Sequence, residues 1–313
     1  MSEDSIDRRE FLGAAAAFAA AAALPRWSTA PPSKTRLILL GTAGGPRPKK
    51  GRSAPSQVII VNGVPYVVDC GNGVARQLVI AGVPLAQLRH VFITHNHSDH
   101  NADYGTLLLL AWAAGLHARV DTWGPPPLEK MTQLFLEMSA YDIDVRIADQ
   151  GDPPLAPLIH VHELTAAGPV MQDENVKVTC ALVDHPPVTP ALAYRFDSAD
   201  RSIVISGDTH RSDNLVRLAQ GADVLVHEAL WLPAVDGIVA RAANPALLKK
   251  HLIDSHTSVE DVGRVAAAAG VKTLVLTHLV PADDPAVTDQ MWIDAARPYF
   301  TGEIIVGRDL MEL

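Results

Sequence analysis

The chain has 313 residues, 48% of them hydrophobic but only 5% aromatic, and carries a net charge of −9. An acidic balance argues against a nucleic-acid partner, because counterion release from a polyphosphate needs a basic face, although a local basic patch stays compatible with it. Two cysteines, Cys70 and Cys180, are too few for a disulfide framework, and whether they are free or joined is open at this level.

Residues 1–30 read as an address rather than as part of a fold. Asp7-Arg8-Arg9-Glu10-Phe11-Leu12 resembles the twin-arginine export signal, and residues 11–24 are an Ala-rich apolar run, short for a bilayer span. The expected partner is therefore the twin-arginine export machinery, and the expected location is periplasmic or secreted. Ser28-Thr29-Ala30 offers small residues for cleavage, although Pro31 and Pro32 follow at once. Removing the segment takes away Arg8, Arg9 and Arg26 against Glu3, Asp4, Asp7 and Glu10, so the remainder stays acidic.

Residues 35–313 alternate strand and helix patterns. Residues 36–40 form a strand, followed by the turn-rich loop Gly41-Thr42-Ala43-Gly44-Gly45-Pro46, which Lys49, Lys50 and Arg52 make basic. Those three cations are as consistent with solvated loop charges as with an anion clamp. Residues 57–61 and 65–69 are strands joined at Asn62-Gly63, a hairpin signal, and Asp69 ends the second. Helical patterns at 74–81, 104–116 and 128–138 flank strands at 90–93 and 117–123. Shorter periods follow at 159–164, 176–182 and 192–196. Strands at 202–205, 224–226, 271–276 and 303–306 then alternate with helices near 214–219, 257–269 and 287–296. Thr257-x-x-Glu260 reads as a capping box and Gly270 as the stop of that helix.

Thr94-His95-Asn96-His97-Ser98-Asp99-His100 follows the strand at 90–93. Three imidazoles and a carboxylate in six residues are too many ligands for one ion. The alternating His95 and His97 would face one metal and the following Asp99 and His100 a second, and zinc suits such a nitrogen and oxygen set. Three later strand ends supply further ligand types: Asp184-His185, Ser206-Gly207-Asp208-Thr209 and Thr277-His278.

With these motifs, the Gly41 to Pro46 loop, Asp69, His227-Glu228-Ala229 and His256-Thr257-Ser258, the chain resembles the metallo-β-lactamase superfamily, in its ribonuclease Z and arylsulfatase-like branch. The resemblance implies an α/β fold of four layers, αβ/βα. It implies two Zn²⁺ per chain, with other divalent metals admissible: one on His95, His97 and His185, the other on Asp99, His100 and His278, with Asp208 bridging. A hydroxide between such ions would be the nucleophile. Asp99 would accept a proton, and His256 would stabilise the oxyanion or protonate the leaving group. Asp69, His227 and Glu228 would support the ligands. His210 is a further substrate-contact candidate beside Lys49, Lys50 and Arg52. His90, His117, His160, His162 and His251 have no motif partner and read as surface or core residues.

The absence of an obvious long Gly/Pro-rich basic arm between Pro127 and His185, together with export, argues against tRNA 3′ processing. The expected function is thus an exported binuclear-zinc hydrolase of small esters, most simply aryl sulfates or phosphodiesters. A lactonase or carboxylic-ester hydrolase is the alternative, and a non-catalytic metal-binding protein the alternative of another class. A diiron oxidoreductase is disfavoured because no flavin domain is attached. A homodimer is an open expectation.

Overall fold

The computed structural model describes residues 35–313; the Arg8-Arg9 signal lies outside them. Two seven-stranded sheets carry the architecture. The first contains β1 (Arg36–Gly41), β2 (Ser56–Val61), β3 (Val64–Val68), β4 (His90–Phe92), β5 (Val120–Gly124) and β6 (Ile159–Glu163), with β14 (Met311–Glu312) added at its edge beside β1. The second contains β7 (Gly168–Gln172), β8 (Val176–Val183), β9 (Ala191–Ser198), β10 (Ser202–Ile205), β11 (Val224–Leu230), β12 (Thr273–Val280) and β13 (Glu303–Val306). Each sheet begins as antiparallel neighbours and continues as parallel ones, from β3 to β6 and from β10 to β13.

The strands read as continuous apolar runs because both faces of each sheet are covered. In β1, Leu37 and Leu39 point into the core between the sheets with Tyr66, Phe92, Tyr194 and Phe196, whereas Ile38 and Leu40 face the outer helices. On the outside of the first sheet lie α1 (Val74–Ile80) and α3 (Tyr104–Ala113), which contribute Leu78, Leu107 and Ala111 to the outer core. On the outside of the second lie α5 (Asp213–Leu218), α8 (Val259–Ala269) and α9 (Asp289–Ala296). This is the four-layered α/β arrangement that the resemblance implies. Near the mouth of the sandwich sit α2 (Ser98–Asn101), α6 (Val235–Val239) and α7 (Pro245–Ser255), the last opened by Asn244, whose side chain accepts the Leu247 N–H.

Two local expectations need correction. Ser258, not Thr257, caps α8, accepting the Asp261 N–H, because Thr257 is buried and donates its hydroxyl to the Thr209 carbonyl. Helix α4 (Leu128–Gln150) runs far past residue 138 and stops at Gly151, whose φ of 76° suits glycine. Its continuation presents Met138, Tyr141 and Val145 to solvent and buries little beyond Ile143, so its apolar periodicity is faint. The hairpin at Asn62-Gly63 forms as expected, with both residues at positive φ.

Candidate metal centre

The chain leaves β4 extended, so His95 and His97 project to the same side, and α2 then turns Asp99 and His100 inward. The second sheet supplies His185 just after β8, Asp208 just after β10 and His278 near the end of β12. Two sets of donor atoms result, each within 4.8 Å of one another: His95, His97, His185 and Asp208, and Asp99, His100, Asp208 and His278. In the first, His97 Nδ1 lies 3.1 Å from His185 Nε2, and His95 Nε2 lies 3.7 Å from Asp208 Oδ2. In the second, Asp208 lies 3.2 Å from His100 Nε2 and 3.1 Å from His278 Nε2, and Asp99 Oδ2 lies 3.3 Å from His278 Nε2. Asp208 belongs to both sets.

Several rings are held from behind. His185 Nδ1 donates to the Ser255 carbonyl at 2.8 Å, and His100 Nδ1 donates to Asp69 Oδ2 at 2.7 Å. Each such bond places the hydrogen on Nδ1 and leaves Nε2 bare towards the centre. Asp69 also accepts the Thr94 N–H at 2.8 Å and the Thr94 hydroxyl. Asp69 and His278 sit at positive φ, 60° and 43°, conformations uncommon outside glycine and held here by the surrounding bonds. Gly45 donates its N–H to Asp99 Oδ2 at 3.0 Å. A Cβ on Gly44 would come within 2.7 Å of His278 Nδ1, and Gly45 sits at a φ of 84°, so each position of the pair suits glycine for its own reason.

The donor set fits divalent cations. Among the described residues His95 Nε2, His100 Nε2 and Asp208 Oδ1 are buried without hydrogen-bond partners, a costly arrangement in a low-dielectric interior unless a cation satisfies them. In the metal-free chain the field acts on the donors in opposite senses. Burial, then the neighbouring His100, pushes the His95 pKa well below the ordinary imidazole value, favouring its neutral ligand form. Burial would raise the Asp208 carboxyl, but His278 and His100 outweigh it and hold it well below the usual range. Burial opposes the His278 imidazolium, yet Asp208 raises that group to about 10.

His256 stands beside these donors with Nδ1 3.1 Å from both Glu228 oxygens and 4.0 Å from Asp208 Oδ2. Glu228 is fixed in turn by the N–H groups of Thr209 and Thr257. Burial lowers the His256 pKa, but Glu228 outweighs it and the group ends above the usual value. His227 instead donates from Nδ1 to the Glu228 carbonyl, and among the described residues its buried Nε2 has no hydrogen-bond partner.

A cleft of about 470 Å³ opens over His97, Asp99, Asp208, His256 and His278. Lys49 lines it together with Arg47, which the sequence reading does not single out. The other wall is apolar, made by Ile238, Leu248, Leu252 and Val280. His251 also lines the cleft, contrary to its expected surface or core role, because α7 carries it five residues before His256. No motif marks it, and no sequence signal points to the placement. Three substrate candidates fall elsewhere. Lys50 is exposed away from the lining, and Arg52 turns inward to donate to Thr42 Oγ1 and the Gly307 carbonyl. His210 donates from Nδ1 to the His256 carbonyl at 3.2 Å, acting as a strut behind that residue.

Among the described residues Cys70 and Cys180 are both free thiols. No described helix is long and apolar enough to cross a membrane.

Residues 66–279 match the model of the Beta-lactamase superfamily domain. Ribonuclease Z of Mycobacterium bovis (strain BCG / Pasteur 1173P2) is 39% identical over 277 residues, 88% of this chain and 96% of that protein. Ribonuclease Z of Mycobacterium tuberculosis (strain ATCC 25177 / H37Ra) is 37% identical with the same coverage. Among solved structures, the human short-form tRNase Z superposes with a TM-score of 0.65 at 21% identity, covering 89% of this chain and 98% of that one. The metallo-beta-lactamase fold protein YhfI from Bacillus subtilis gives 0.66 at 19% identity with the same coverage. These two likenesses concern the fold.

The curated relatives overturn two expectations, that the enzyme acts on aryl sulfates or other small esters and that no nucleic acid is a partner. The first rests on a missing arm and on export, the second also on net charge. Net charge sums over the entire surface, whereas binding responds to the local field, and Arg47 and Lys49 stand at the cleft. The supposedly missing arm does not separate this chain from proteins whose length it matches over 96%.

Proposed function

This chain belongs to the beta-lactamase superfamily as a metal-dependent hydrolase, and on that premise we propose that it cleaves phosphodiester bonds in RNA, with tRNA precursors as its substrate class. The observation that carries the reading is the pair of buried His and Asp donor sets under a cleft edged by Arg47 and Lys49. It is supported by 39% identity to a protein named Ribonuclease Z across nearly its full length.

On this reading two zinc ions per chain, one at each donor set, supply Lewis-acid polarisation of the phosphoryl group and an acidified water. The chain's own residues do the rest. Asp99, kept ionised by His100 and His278 against the pull of burial, accepts the proton that the attacking water gives up. His256, held through Nδ1 by Glu228, presents its other nitrogen to the leaving ribose oxygen and protonates it. Arg47 and Lys49 balance the charge of neighbouring phosphates.

The test is cleavage of an end-labelled tRNA precursor with a 3′ extension by the zinc-loaded full chain. Cut product that disappears with a chelator and returns with zinc supports the reading. Turnover of aryl sulfates or nitrophenyl esters with no cut in any RNA overturns it. The compartment is a separate proposal. The Arg8-Arg9 pair directs export, which would confine cleavage of tRNA precursors to chain not yet exported, and replacing both by Lys should retain all of it in the cytoplasm. Unchanged fractionation of that variant would remove the signal from the account.

A further inference from the structure

His251 takes no part in the scheme above, yet it stands in the cleft. Its ring centroid is 5.8 Å from those of His97 and His185 and 5.7 Å from that of His256. Its hydrogen-bonding state follows from its neighbour. The Ser255 hydroxyl donates its one hydrogen to the Pro186 carbonyl. Towards His251 Nδ1, 3.2 Å away, the same oxygen can only accept, so Nδ1 carries the hydrogen. In the neutral ring Nε2 is then an acceptor, and among the described residues it has no protein hydrogen-bond partner.

A metal ligand role is poorly served. A ring nitrogen of His251 does approach His185 and His256, with one ligand atom from each within 4.8 Å of the others. However, His185 uses Nδ1 on the Ser255 carbonyl and turns Nε2 to His97, while His256 uses Nδ1 on Glu228. A third ion would have to draw His185 away from the set it already completes.

An acceptor in this position also discriminates between substrates. Non-bridging phosphate oxygens are acceptors themselves and gain nothing from it. Along an RNA backbone the donor beside each phosphate is the 2′-hydroxyl, which DNA lacks. Leu248 and Leu252, three residues before and one after on the same helix, line the cleft too and offer an apolar surface for the sugar carbons. We propose that His251 is a specificity residue whose Nε2 accepts a hydrogen bond from the 2′-hydroxyl of a ribose flanking the scissile phosphate. This rests on the RNA reading above.

The experiment compares kcat/KM for all-ribose tRNA precursors with precursors carrying a single 2′-deoxy or 2′-fluoro nucleotide on either side of the cut. The fluoro sugar keeps the RNA-like pucker but cannot donate, so it separates hydrogen bonding from helix shape. The enzymes are the full zinc-loaded chain and its His251→Ala and His251→Gln forms, with zinc content measured on each. The native chain should lose roughly 3–10-fold at one flanking position with both modified sugars, the scale of one neutral hydrogen bond. His251→Ala should retain its zinc and show a ratio near one at that position. His251→Gln, which keeps an acceptor, should recover part of the discrimination and serves as the test if the Ala form loses metal. Equal discrimination in native and variant chains, or no penalty at either position in the native chain, overturns the assignment while leaving RNA cleavage intact. Failure of the native chain to cut any RNA overturns the substrate reading, and this proposal with it.

Discussion

Replacing Asp69 by Asn isolates what a residue behind the ligands contributes to holding metal. Asp69 is 2% exposed and accepts from Thr94 N–H at 2.8 Å, from the Thr94 hydroxyl at 2.9 Å and from His100 Nδ1 at 2.7 Å. Hydrogen bonds to a charged acceptor contribute about 1.5–3 kcal/mol each, but the two from Thr94 act mainly on the fold. The third sets the His100 tautomer. Asn tolerates the positive φ of 60° at this position, so the change adds little backbone strain. Its amide can still accept the Thr94 N–H through oxygen, but its NH₂ group then confronts a second donor at His100 Nδ1. Relief comes if His100 moves its hydrogen to Nε2, the atom 3.2 Å from Asp208 Oδ1, which then cannot coordinate. Losing such a supporting carboxylate typically costs about 10–100-fold in metal affinity, or roughly 1.4–2.8 kcal/mol. The loss should fall on the set containing Asp99, His100 and His278 more than on the one containing His95, His97 and His185. Zinc titration against a chromophoric chelator resolves the two steps. Two zinc ions bound as tightly by Asp69→Asn as by the native chain would refute the reasoning.

His256→Ala should keep both metals and lower kcat roughly 10²–10³-fold, with a larger loss for poor leaving groups if the residue donates a proton. Metal loss, or full activity on every substrate, would remove that role. Asp208→Ala should reduce zinc content further than His185→Ala, since Asp208 belongs to both donor sets, and equal content near two per chain in both variants would contradict the bridging position. For pH, the His278 pKa of about 10 in the metal-free chain lies above the unfolded value of about 6.5. Its contribution to stability is therefore fully present below about 6.5 and is lost as pH rises through about 10. Metal binding requires the neutral ring and should abolish this decline, so melting midpoints should fall with rising pH under a chelator but not with zinc. Parallel profiles with and without metal would disprove the coupling.

The four layers are legible because apolar strand runs alternate with helical patterns, and the strand ends that carry His or Asp are those the fold brings together at the cleft. What escaped has physical reasons. Helices α6 and α7 bury only a small cluster, Leu230, Val235, Val239, Leu252 and Val280, so their apolar periodicity is faint and the cleft wall they build was not foreseen. His251 became a cleft residue only through that wall. Arg52 looked like its basic neighbours, but a carbonyl and a hydroxyl waiting behind the loop drew it inward. Total charge misleads about the substrate because it is a property of the whole chain, and binding is decided at the rim of one cleft.

Each donor set draws from both sheets: His95, His97, Asp99 and His100 come from the first, and His185, Asp208 and His278 from the second. A bound cation is therefore a rivet through the sandwich as well as a reagent, tying positions as far apart in the chain as His100 and His278. The apolar layer between the sheets resists shear weakly, since side chains can slide past one another, whereas a coordination bond resists it directionally. Loaded with metal, the two sheets should open as one mechanical unit. Stripped of it, the amides of β4 and β10 nearest the rivet should exchange with solvent through partial openings that leave the far end of the sandwich shut.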